Sequence, residues 1–131
     1  MTAVADTRLL LSHEFPPDEG VRDSVRALLQ RELASRLLAP SVVLTEFIKI
    51  AGARMGEAAA LARIAQLKEC GLRVVPVGER HALAAGKLML AHNETPMADA
   101  LIASFVASRD AAYVVSDDPC YRTLGVKTKW V

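Results

Sequence analysis

Apolar residues along the chain switch repeatedly between a short extended pattern and a helical one. TAVAD (2–6) is short, apolar and β-branched and predicts a strand. TRLLLSHEF follows as a short helix, stopped by Pro16-Pro17. From Asp18 to Leu37 the apolar positions Val21, Val25, Leu28, Leu29, Leu33 and Leu37 fall at helical spacing, with a polar opposite face. LAPSVV (38–43) predicts a second strand, and Thr45 to Arg54 returns to helical spacing, ended by Gly52 or Gly56. Glu57 to Cys70 is an alanine-rich helix closed by Gly71. Leu72 to Val77 predicts a third strand and Glu79 to His92 another helix. Thr95-Pro96 starts the next helix, with Thr95 as its cap and Pro96 as its first residue, running to about Arg109. Ala112 to Ser116 is a fourth strand, and Gly125 to Trp130 supplies a short fifth at an edge. Strands alternating with helices predict an α/β domain with a mostly parallel sheet of four to five strands.

A chain of 131 residues, 52% hydrophobic and 24% charged, can bury a substantial core as one domain, residues 1–131. A net charge of +1 exerts no global pull on nucleic acid, so a polyanion site needs a local patch. Cys70 and Cys120 fit neither a zinc spacing nor a disulfide framework and read as free thiols. MTAVADTRLLLSHEF carries no signal-peptide pattern, and no run approaches the ~20 apolar residues of a membrane span. The expectation is a cytoplasmic protein with no membrane contact.

Most acids need only a solvated helix face, Glu19, Asp23, Glu32, Glu57, Glu69 and Glu79 among them. A few have less local reason to be where they are. Asp6 ends the first strand; alone, it could cap the next helix. Glu46 follows the second strand between apolar neighbours; alone, it could be a first-turn acid favoured by the helix dipole. Asp99 opens an apolar helix with Ile102 and Ala103 three and four residues on, so no cation pairs with it along the helix. Asp117 and Asp118 end the fourth strand before Pro119; alone, they could form a turn. Taken together, Asp6, Glu46 and the Asp117–Asp118 pair end or follow strands, and Asp99 opens a helix leading into one. In a parallel sheet such points share one edge, where ligand sites collect. Converging carboxylates repel one another unless a hard cation such as Mg²⁺ or Mn²⁺ joins them. That combination suits phosphodiester hydrolysis.

Other chemistries find no support in the motifs. The chain has no G-x-G-x-x-G, no phosphate-binding G-x-x-x-x-G-K-[ST] and no G-x-S-x-G. His13, His81 and His92 are scattered and form no metal pair.

In order along the chain, "VADTRLLL", "PSVVLTEF", "ADALIAS" and "VVSDDPCY" resemble the motifs of PIN-domain proteins, of the VapC-like toxin type. The resemblance covers essentially the whole chain. It implies a three-layer α/β/α fold and divalent-metal-dependent (Mg²⁺ or Mn²⁺) endoribonuclease activity. For toxin members it also implies a homodimer and inhibition by an antitoxin protein. It assigns metal-binding, catalytic carboxylates to Asp6, Glu46 and Asp99. In the last motif, Ser116, Asp118 and Tyr121 match the family register, which puts Asp118 first as the fourth carboxylate and keeps Asp117 as a second candidate. Thr7 and Ser116 match hydroxyls that orient carboxylates or water. Arg8 stands where many relatives carry Asn. Arg8, Lys49, Arg54 and Arg122 are the cations nearest the motifs and the candidates for holding RNA phosphates.

Two other classes compete with a ribonuclease. A PIN-like module that only binds RNA or protein should have lost part of its acid set, whereas this set is complete. A phosphatase or receiver-type phosphotransfer domain could use Asp6 as nucleophile, but it needs a Lys at a later strand end, and VVS and VVP have none. A ribonuclease could also process RNA without being a toxin, and the RNA target is written in no motif.

Overall fold

The computed structural model describes residues 1–131. Five strands form one sheet: β1 (Ala3–Ala5), β2 (Leu37–Pro40), β3 (Arg73–Val75), β4 (Tyr113–Val115) and β5 (Thr128–Lys129). Their order is β3-β2-β1-β4-β5, and every pairing is parallel. Seven helices connect them: α1 (Thr7–Glu14), α2 (Glu19–Ser35), α3 (Ser41–Met55), α4 (Glu57–Glu69), α5 (Glu79–Ala91), α6 (Met97–Ala107) and α7 (Cys120–Thr123). Parallel neighbours require crossover connections, and these helices cover the sheet in a three-layer α/β/α arrangement. β1 and β2 are accordingly buried along their whole length. One core joins them to Val25, Leu28 and Leu29 of α2, Phe47 of α3, Ile64 and Leu67 of α4, and Ile102 and Phe105 of α6.

The strand order places the site. From β1 the chain moves out one way through β2 and β3, then returns to lay β4 and β5 on β1's other side. β1 and β4 therefore flank the point where strand order reverses, and it is beyond the carboxyl ends of such strands that parallel sheets form their ligand crevice. Ala5 lies opposite Val115 in the ladder, so Asp6 and Ser116 emerge side by side.

Several expectations change in detail. The second strand stops at Pro40, not residue 43, and α3 begins at Ser41. The apolar run from Leu37 to Ile48 is compatible with either element, and periodicity alone could not locate the switch. Ser41 also accepts a hydrogen bond from the Val77 N–H (3.2 Å), tying the start of α3 to the loop that follows β3. Glu46 thus sits in the second turn of its helix, beyond the reach of the dipole argument. Pro96 is the cap of α6 and Met97 its first residue; Thr95 provides no side-chain cap. The short α7 adds a helix that the apolar pattern does not predict, since four residues are too few to show a period. Glu32 does not face solvent: it is buried, with its carboxylate against Tyr113 of β4 and Lys129 of β5. Its carboxylate accepts from the Tyr113 hydroxyl and lies 3.8 Å from Lys129 Nζ. Burial and then that carboxylate push the Tyr113 phenol up to about 12.

Candidate active site

Asp6 stands at the N-cap of α1, yet its side chain caps nothing. It is almost fully buried, and its Oδ2 accepts a 2.6 Å hydrogen bond from Ser116 Oγ. The same hydroxyl oxygen accepts from the Asp118 N–H at 3.0 Å, so Ser116 locks the two strand ends together. Asp118 is half-buried, and its Oδ1 accepts from the Cys120 N–H (2.9 Å), forming a turn that starts α7. Glu46 reaches the crevice from α3, where its Oε1 accepts from Thr7 Oγ1 at 2.6 Å. Asp99 comes from the first turn of α6. Both hydroxyls singled out in the sequence, Thr7 and Ser116, hold a carboxylate in place.

The acids sense one another. Burial first, then the charges of Asp6, Asp118 and Glu46, raise the Asp99 pKa to about 6. Burial also raises that of Asp6, against the opposing pull of its Ser116 hydrogen bond. Tyr121 is wholly buried beside this group, and its phenol is pushed up by burial and by Asp6 and Asp99. Its hydroxyl lies against the Asp6 carboxylate and, with Ser116, opposes the rise in the Asp6 pKa. The sequence suggested only an aromatic here; its phenol set against the acids becomes visible in three dimensions.

Asp117 points elsewhere. It is exposed, and its Oδ1 accepts from Arg8 Nε at 2.7 Å. That bond lowers the Asp117 pKa. Arg8 is raised in turn, chiefly by Asp117, with Asp118 and Asp6 contributing. Arg8 is therefore the cation at the rim of the acid cluster. Arg54 lies 3.9 Å over the Phe15 ring and shares a groove with Arg8. Lys49 and Arg122 are exposed and form no ion pair, and nothing draws them to the acids.

An all-oxygen set of buried and half-buried, mutually repelling acids fits a hard divalent cation. As placed, no three acids, histidines or cysteines are close enough to close on one ion. The fit is to a cation such as Mg²⁺, which is held by one or two carboxylates and keeps several waters, and not to a closed protein cage.

Residues 3–125 match the PIN domain, and the chain belongs to that family. Solved structures with the same fold include a chain of VapBC2 from Rickettsia felis bound to a promoter DNA fragment, at TM-score 0.80 and 14% identity, covering 99% of this chain and 98% of that one. Another is VapC20 of Mycobacterium tuberculosis, described as a sarcin-ricin-loop-cleaving toxin, at TM-score 0.76 and 19% identity over 95% of each chain. A third is a chain of FitAcB from Neisseria gonorrhoeae, at TM-score 0.75 and 17% identity, covering 96% and 95%. No curated protein sequence matches the chain significantly.

Proposed function

We propose that this chain is a divalent-metal-dependent endoribonuclease, the toxin of a VapBC-type toxin–antitoxin pair acting in the cytoplasm. One observation carries the reading: carboxylates from four separate segments gather at the strand-order switch, where burial first and then the other three raise Asp99 to about 6. Asp6, Glu46, Asp99 and Asp118 would hold Mg²⁺ or Mn²⁺, which when bound supplies Lewis acidity toward a phosphoryl oxygen and a water. The chain's own residues do the positioning. Ser116 fixes Asp6, Thr7 fixes Glu46, and the Cys120 N–H fixes one oxygen of Asp118, leaving the other free for the crevice. Fixed donors cost no reorganisation at the moment of reaction. Arg8 brings positive charge to the rim for a substrate phosphate. The toxin reading draws further support from the VapBC and FitAB complexes among the chains of like fold.

Total RNA incubated with the protein and Mn²⁺ should acquire discrete new 5′ ends, and EDTA should abolish them. If end-mapping finds none, the protein is a binding module and not a hydrolase.

A second expected outcome concerns assembly. No helix is long and apolar enough to cross a membrane, yet Leu83 and Leu90 of α5 and Met97 of α6 are 61%, 86% and 65% exposed. Leu83 and Leu90 are seven residues apart and share a face of α5. Their exposure is explained by a second copy, giving a homodimer at micromolar concentration. Leu90→Lys should shift the wild-type dimer toward monomer in sedimentation velocity. A wild type that stays monomeric at high concentration would refute this.

A further inference from the structure

A groove of about 290 Å³ lies between α1 and α3, lined by Arg8, Leu11, Ser12, Phe15, Ile50 and Arg54. On α1, Arg8, Leu11, Ser12 and Phe15 recur at the spacing of one helix face. On α3, Ile50 and Arg54 continue the face that begins with Glu46, at four and eight residues on. The groove therefore begins one turn beyond Glu46 and covers about 6 Å along α3. An arginine is held at each end. Arg8 is anchored through Nε alone, which leaves its terminal nitrogens without a partner in the chain. Arg54 is laid flat on Phe15. Between them Ile50 is 41% exposed, a large apolar side chain with no packing reason to face solvent.

We propose that this groove binds one unpaired nucleotide of the RNA substrate next to the cleaved phosphate, with Arg8 and Arg54 on backbone phosphates. The proposal rests on the ribonuclease reading and names the form of RNA it takes. The base lies over Ile50 and the Arg54 guanidinium, since unpaired bases stack on aromatic and guanidinium planes. Charge and size select this occupant. Two arginines at the ends suit a polyanion, and ~300 Å³ is the lower bound of small-molecule sites. That space is short for a helix or extended peptide. Asp117 becomes a positioning residue. Its ion pair with Arg8 is exposed and adds little to stability, but it fixes the direction of the guanidinium.

The test is binding without metal. Fluorescence anisotropy of a labelled 12-mer oligouridine is measured in EDTA over a salt series. Arg54→Gln and Arg8→Gln should each weaken binding about 5- to 10-fold and each reduce the salt slope by about 0.7, the value for one single-strand phosphate contact. Arg31→Gln removes the same charge from an exposed position on α2 and serves as the control. Asp117→Asn removes a negative charge, which by electrostatics alone would strengthen RNA binding. It should instead weaken binding, and should cost nothing further when Arg8 is already Gln. An RNA duplex of equal length should compete about tenfold less well than the single strand. Unchanged affinity and slope in both arginine variants would overturn the proposal and leave the groove to a protein partner. So would an equal loss in Arg31→Gln, or equal competition by duplex. RNA cleavage with unaffected binding in the arginine variants would sink the groove alone. Binding as expected with no cleavage would sink the hydrolase alone.

Discussion

Asp118→Asn is expected to cut single-turnover cleavage of RNA at saturating protein and Mn²⁺ by well over tenfold, while Asp117→Asn costs far less. Tenfold corresponds to ~1.4 kcal/mol of lost barrier stabilisation. The geometry separates the neighbours. Asp118 is half-buried, tied to Ser116 through its N–H and to Cys120 through Oδ1, and its charge is one of those raising Asp99. Asp117 is exposed and spent on Arg8. Asn at 118 retains an oxygen for the Cys120 N–H, so the turn should survive while the negative charge is lost. Saturating protein removes the binding contribution that Asp117 makes through Arg8. Circular dichroism must show both variants folded, since either change adjoins Pro119. If Asp117→Asn is the inactive protein, the assignment of the fourth carboxylate is off by one residue. If neither matters while Asp6→Asn abolishes cleavage, the site is built on Asp6, Glu46 and Asp99 alone.

Asp99→Asn should stabilise the metal-free protein at pH 7 and remove most of the stabilisation by Mn²⁺. The folded-state pKa of Asp99 is raised to about 6 from an ordinary 3.8. Below about pH 4 the carboxyl is protonated in both folded and unfolded chains, and its burial carries no charge penalty. Between about 4 and 6 the folded chain binds more protons than the unfolded one, so stability falls as pH rises. Above about 6 the penalty is complete. The variant never charges, so its advantage over wild type should grow across that window and then level off. A ligand bound only by the folded state at 100 times its Kd adds ~2.7 kcal/mol. For a domain of this size that is a Tm shift of about 10 °C. Thermal unfolding with and without Mn²⁺, at pH 4.5 and 7, reads both effects. Equal Mn²⁺ shifts in wild type and variant would remove Asp99 from the metal site.

The order of the strands and longer helices, the parallel α/β class and the unusually placed acids are all legible in the chain. Those are local properties: an apolar period of two or of 3.6, a Pro-Pro stop, a carboxylate in a run built for burial. Asp6, Ser116 and Asp118 were legible because each lies at the end of a short apolar strand. The start of α3 was not, because a stretch apolar at most positions suits strand and helix alike, and with it went the true position of Glu46. The burial of Glu32 is hidden from the sequence for a related reason. One helix face looks polar until β4 and β5 are laid against it. Tertiary structure alone decided which acids meet. The β1–β4 pairing joins Ser116 to Asp6 across 110 positions, and Arg8 to Asp117 across 109. No local pattern encodes those distances in space. They follow from strand order, which is set by how all the helices bury their apolar faces on one sheet at once.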